Sequence, residues 1–177
     1  MPGSEPFFGV PGFKVGRSLR FTDDDGPELT RTFTAAGNRK TWTWSSWIKR
    51  GNLSAEASSQ YDYHNIFAQS NTYIAFSGDN LDSIRWTSHD GSERMNLITT
   101  QVFRDPSAWY HLMFVLDTTQ GTAANRAKIY VNNTQISSFS TETYPDQNYD
   151  IDINTAAKHS IGGPNENYFD GYLAEIN

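Results

Sequence analysis

Between Thr41 and Lys49 the chain reads TWTWSSWIK. Trp42, Trp44, Ser46 and Ile48 fall on one parity of this run, and Thr43, Ser45 and Trp47 on the other. A strand sends successive side chains to opposite faces, so this order paints one face of a sheet with tryptophan and isoleucine. Elsewhere the apolar residues come in short bursts, at Ile66 to Ala68, Tyr73 to Phe76, Ile84 to Trp86 and Leu97 to Ile98. Turn formers separate them, as in Ser77-Gly78-Asp79-Asn80 and His89-Asp90-Gly91-Ser92. No segment carries the 3.6-residue apolar stripe of an amphipathic helix. Residues 52–60 are polar and Ala/Ser-rich, enough for one helical turn at most. The fold class expected is all-β: two antiparallel sheets packed as a jelly-roll sandwich.

Further strands are expected at Arg17 to Phe21, Leu29 to Phe33, Ser160 to Gly162 and Tyr168 to Asn177, the last opening on an Asp170-Gly171 turn. Trp109 to Leu116 is apolar on both parities and reads as a central strand buried on both sides. Lys128 to Val131 and Gln135 to Phe139 flank Asn132-Asn133, a pair that tolerates positive φ and suits a tight hairpin. Thr141 to Thr155 reads as a long polar loop. Residues 1–16 hold four of the glycines and three of the prolines, which excludes a helix or central strand. This is an arm, followed by one domain over residues 17–177. Phe7, Phe8 and Phe13 give the arm apolar anchors, either for draping on its own domain or for docking on a partner.

At 177 residues the chain suits one domain with its own core. It has no cysteine, which excludes disulfide scaffolds, zinc thiolates and thiol nucleophiles. With Lys plus Arg at 14 against Asp plus Glu at 20, no nucleic-acid partner is expected. No run approaches a membrane span, and Met1 to Val10 lacks the basic start and apolar stretch of a signal peptide.

Four stretches carry a resemblance: Ser18 to Phe21, Trp42 to Lys49, Trp109 to Leu112 running into Lys128 to Asn132, and Phe169 to Ile176 (FDGYLAEI). Their order and spacing resemble the laminin-G-like branch of the concanavalin A-like lectin/glucanase superfamily, over Val15 to Asn177. The resemblance implies curved sheets with the first and last strands paired. Ala36 to Ser45 and the closing FDGYLAEIN further resemble proteins of marine tailed phages. That implies a virion structural module (capsid decoration, tail or fibre), made in a bacterial cytoplasm and contacting other virion proteins or copies of itself. In such proteins the chain runs on past the last motif, so Asn177 is expected to lie inside a longer protein.

The superfamily also implies two other functions. Retaining glucanases set carboxylates on one strand in an E-x-D-x-E-like pattern. Asp150-Ile151-Asp152-Ile153-Asn154 is the nearest match, but it lacks both glutamates, and no enzyme activity is expected. The same residues, read as a strand, put Asp150, Asp152 and Asn154 on one face, a possible start for a calcium site. The alternative, and the plainer reading, is a solvated edge strand whose carboxylates discourage strand addition. A glycan-binding adhesin needs aromatic faces beside planar polar groups. Tyr61, Tyr63 and His64 fall in one expected loop, Trp86, His89 and Asp90 in another, and Tyr144 and Tyr149 in a third. Ordinary packing of aromatics under loops is the alternative. The histidines show no metal-ligand spacing, and His111 reads as structural.

Overall fold

The computed structural model describes residues 16–53, 63–77, 82–164 and 167–177. Phe7, Phe8, Phe13 and Tyr61, and nearly all of the 52–60 stretch, lie outside these residues. The described chain forms thirteen strands and two short 3₁₀ turns. One sheet contains β1 (Leu19–Phe21), β3 (Thr41–Arg50), β8 (Tyr110–Asp117), β9 (Ala127–Val131), β10 (Thr134–Gln135) and β13 (Gly171–Ala174). The other contains β2 (Leu29–Thr32), β4 (Tyr63–Gln69), β5 (Thr72–Ser77), β6 (Ser83–His89), β7 (Glu93–Val102), β11 (Phe139–Thr143) and β12 (Lys158–Ile161). Their orders are β1-β13-β3-β8-β9-β10 and β11-β7-β6-β5-β4-β12-β2, antiparallel at every pairing. This is the all-β, two-sheet sandwich expected.

The period-two reading of β3 holds. Trp44, Ser46 and Ile48 are buried between the sheets, while Thr43, Ser45 and Trp47 face outward. Trp44 stacks on Phe67 of the opposite sheet (5.7 Å, 8°), and Trp86 meets Phe114 edge-on and Trp42 at 5.5 Å each. Such aromatic contacts add to the stabilisation from area burial alone. The buried Ser46 hydroxyl donates to the Ala174 carbonyl at 2.9 Å, so the polar atom on this inner face is paired. Terminal closure follows the expected pairing: Leu19 lies opposite Leu173, and Arg20 opposite Tyr172.

Asn132 and Asn133 take φ of 48° and 66°, both left-handed, and β9 turns directly into β10. Two positive φ values match the right-handed twist of the flanking strands, which is why the Asn pair belongs there.

Five local expectations need correction. β8 is fully buried on one side only: Leu112, Phe114 and Leu116 point inward, while Met113 and Val115 lie half-buried on the outer face. After Gln135 the chain leaves the first sheet, and Phe139–Thr143 pairs with β7 as the edge of the second, so part of the expected 141–155 loop is strand. Residues 152–154 are bend and turn rather than strand, with Asn154 at φ 66°. Asp170-Gly171 is no exposed turn. Gly171 begins β13 at φ +145°, where an added Cβ would lie 2.2 Å from the Lys49 carbonyl oxygen. The glycine permits a backbone approach no side chain allows. Finally, Trp86 sits in mid-strand on β6 with no exposure, one of the largest core residues rather than a loop ligand-binder.

Candidate functional site

One end of the sandwich gathers the turns β4–β5, β6–β7 and β8–β9 with the segments leading into β3 and β12. Backbone hydrogen bonds tie these together. Thr118 N–H donates to the Lys40 carbonyl (2.9 Å), Asn148 N–H to the Thr118 carbonyl (2.8 Å), and His89 N–H to the Asn71 carbonyl (3.2 Å). The buried Thr118 hydroxyl adds a bond to the Tyr149 carbonyl at 2.9 Å. The loops therefore form a braced rim, and side chains on it are held in place.

At this rim Asp90, in the tight β6–β7 turn, meets Tyr149 from the β11–β12 connection. The Tyr149 hydroxyl donates to Asp90 Oδ2 at 2.7 Å, and Arg94 Nε–H donates to Oδ1 at 2.7 Å. The Arg94 guanidinium lies 5.5 Å from the Tyr149 ring centroid. The Arg94 bond, then the Tyr149 bond, hold the Asp90 carboxyl at about 2. Burial first, then the bond to Asp90, push the Tyr149 phenol up to about 12. At neutral pH the group is a fixed anion, a fixed cation and a neutral phenol.

Asp152 adjoins this cluster, because its charge bears on Tyr149 and the charge of Asp90 bears on it. Burial raises its carboxyl above the usual range, against the opposing pull of Arg39. Arg39 Nη2 pairs with Asp152 at 3.4 Å and also donates to the Asp150 carbonyl (2.9 Å), and its Nε donates to the Ile151 carbonyl (2.7 Å). The Asn154 side-chain amide donates to the Asn38 carbonyl at 2.8 Å. The Asp150 carbonyl and the side chains of Asp152 and Asn154 thus brace the rim through Arg39 and Asn38. Among the described residues, no three His, Cys, Asp or Glu side chains gather as a metal site.

The other candidates are dispersed. Tyr63 lies on β4, where its hydroxyl accepts from Arg85 Nη1 at 2.6 Å and its ring meets Tyr73 at 5.4 Å. His64, next on β4, is buried. His89 ends β6 beside Asp90. Tyr144 donates to Glu142 at 2.8 Å, and burial and that carboxylate push its phenol up to about 12. Of the aromatic and polar set, the structure joins Asp90 to Tyr149. Sequence reasoning missed Arg94 and Arg39. The signal for Arg94 was its place one strand step beyond the Asp90 turn, within reach of that carboxylate.

The fold and rim can be set beside known proteins. A laminin-G family model of the concanavalin A-like lectin/glucanases superfamily matches residues 22–177. The chain belongs to this laminin-G-like family. Its fold is similar to mouse laminin α1 chain domains LG4-5 (TM-score 0.57, 16% identity), covering 95% of this chain and 43% of that one. The chain thus spans less than half of that laminin fragment. It is also similar to a heptameric SAP-like pentraxin from Limulus polyphemus (TM-score 0.51, 18% identity, 85% and 68% covered). A third similarity is to domain 4 of AbnA, an extracellular arabinanase of Geobacillus stearothermophilus in complex with arabinotriose (TM-score 0.54, 16% identity, 93% and 70% covered). No curated protein sequence matches the chain.

Proposed function

We propose that this laminin-G-like domain is a glycan-binding module whose ligand sits against Asp90, Arg94 and Tyr149. The observation that carries the reading is the locked trio itself, in which an exposed carboxylate and a half-buried guanidinium and phenol are pinned to one another on a braced rim. Sugar hydroxyls both donate and accept, so a fixed acceptor beside a fixed donor suits them, and pre-ordering lowers the entropy cost of binding. A phenol and carboxylate held far from neutral titration favour holding a ligand over proton transfer, so no hydrolysis is proposed. The arabinotriose complex of the arabinanase domain is support by fold analogy.

The test is a glycan array probed with and without chelator. Binding is expected under both conditions, with Arg94→Ala weakening it about tenfold or more. Absence of binding to every glycan would overturn the reading, and loss with chelator would return a metal to the site.

The likeness of Ala36 to Ser45 and of Phe169 to Asn177 to marine tailed-phage proteins favours a compatible second reading. The domain would be a virion part, displaying the rim from a fibre, tail or capsid. Immunogold imaging of the particle tests it, and unlabelled particles would reject it.

A further inference from the structure

At the β2 edge of the second sheet, strand pairing lines up a further group of side chains. Leu29 lies opposite Ile161 on β12, and Ile161 opposite Phe67 on β4. Two residues along, Arg31 lies opposite His159. Phe33 N–H donates to the Ala157 carbonyl at 3.1 Å, which carries the ladder further. Residues two apart on a strand share a face, so Leu29, Arg31, Phe33, His159 and Ile161 stand on one side of the sheet. Phe67 stacks on Trp44 of the facing sheet, which marks this side as the inner one. There they line a cavity of about 240 Å³. Leu29, although on the inner side, is 46% exposed, so the cavity reaches solvent at this edge.

Two properties narrow what fits there. The first is the walls, which are rings and aliphatic carbons. Phe33 meets the His159 ring edge-on (4.9 Å, 89°), and Phe67 lies 6.3 Å from it. His159 is 5% exposed and uses both ring nitrogens within the chain. Nε2 accepts the Asn154 N–H at 2.9 Å, so Nδ1 carries the proton and donates to the Ala157 carbonyl at 3.0 Å. Burial lowers its pKa, so the ring is uncharged at neutral pH. The Ser160 hydroxyl is also taken, by the Gly163 carbonyl at 2.9 Å. The second property is the exposed Arg31. Its guanidinium lies over the Phe33 ring, 4.7 Å from the centroid, and no carboxylate of the described residues pairs with it. Glu28, just before β2, is held by Lys158 at 2.7 Å. The cavity is thus an apolar slot with one unopposed positive charge at its mouth.

We propose that this cavity binds a small aromatic carboxylate, its ring among Phe33, Phe67 and His159 and its carboxylate on the Arg31 guanidinium. An apolar cavity of about 150 Å³ is large enough for benzene. One of about 240 Å³ therefore holds a phenyl ring with a short arm. Aromatic walls take such a ring by face or edge. The planar guanidinium donates two parallel hydrogen bonds to a carboxylate, which selects an acid over its amide. A sugar suits the slot less, because its walls leave buried hydroxyls without partners. The site shares no residue with the Asp90, Arg94 and Tyr149 trio and does not rest on the glycan-binding reading.

The experiment titrates the methyl-labelled full chain with phenylacetate and with phenylacetamide, followed by NMR. The Ile161 methyl resonances are expected to shift with phenylacetate and to show Overhauser contacts to its ring. Phenylacetamide should bind about tenfold or more weakly. Arg31→Gln, a change at an exposed side chain, should remove that preference and leave phenylacetamide binding unchanged. Ile161→Trp, which fills the cavity, should abolish binding of both, and Arg94→Ala at the rim should change neither. No shift at Ile161 with either compound would overturn the site. Equal affinity for acid and amide, or a preference that survives Arg31→Gln, would overturn the carboxylate assignment and the proposal with it. Overhauser contacts from the Ile161 methyls to the ring of Phe7, Phe8 or Phe13 would make the arm the occupant and overturn the proposal. A dimer that Ile161→Trp dissociates, by sedimentation, would make the cavity an interface between copies and overturn it as well.

Discussion

Replacing Asp82 with asparagine should destabilise the domain more than most single polar substitutions. Arg50 ends β3 with a side chain that has no solvent exposure, and its Nη1 donates to Asp82 Oδ1 at 2.6 Å. Asp82 is 3% exposed and also receives Arg104 Nε–H at 3.2 Å. Asp82→Asn keeps the side-chain size, and asparagine tolerates the φ of 77° at this position, so the change removes little but charge. Removing one partner of a buried pair leaves an uncompensated charge and costs about 3–5 kcal/mol. Arg50 would retain the Phe103 carbonyl at 2.9 Å and the Phe76 ring at 4.4 Å, which places the expected cost near the lower end, about 3 kcal/mol. For a domain of this size that is a fall in Tm of roughly 6–12 °C. Guanidinium unfolding followed by tryptophan fluorescence measures it, and the midpoint should fall with the slope unchanged. Adding Arg50→Met should recover much of the loss, because no buried charge then remains. A cost below about 1 kcal/mol for Asp82→Asn would refute the reasoning, since it would mean that Arg50 is solvated without its carboxylate.

Three further outcomes are expected. Carboxyl-carbon NMR should place the Asp90 titration at about 2, and Arg94→Ala should raise it more than Tyr149→Phe does, because the Arg94 bond is the larger cause. That folded-state value is depressed, so the contribution of Asp90 to stability is present above the ordinary carboxylate range and is lost as pH falls towards 2. His159 accepts the Asn154 N–H at Nε2 (2.9 Å), and burial lowers its pKa. Nitrogen NMR should therefore show the Nδ1–H tautomer, and stability should fall as pH drops below the ordinary histidine range, an acid loss that His159→Gln lessens. Gly171→Ala should cost about 2–4 kcal/mol in chemical unfolding, from the collision with the Lys49 carbonyl at positive φ.

The rim site could be read from sequence only in part. Asp90 and Tyr149 were both among the residues singled out, yet their pairing spans 59 positions and depends on two loops from different parts of the second sheet meeting at one rim. Trp47 was already on the outward parity of β3. What could not be read is that His111 stands opposite it and that the Asn turn folds up beside His111. Trp86 shows the reverse error: three residues from a turn signal, it looked like a loop aromatic, but β6 extends to His89 and carries it into the core.

By itself the sequence determined what neighbouring residues decide through backbone geometry. The alternation of β3 and the Asn132-Asn133 hairpin follow from φ/ψ preference and a two-residue period. The pairing of the terminal strands came from family resemblance. Tertiary structure alone decided which faces are covered. One-sided burial of β8, the crossing of Phe139–Thr143 to the second sheet, and the curl at residues 152–154 depend on what distant strands place above or beside each segment. Period-two alternation names two faces, but only the stacking of the layers says which of them meets water.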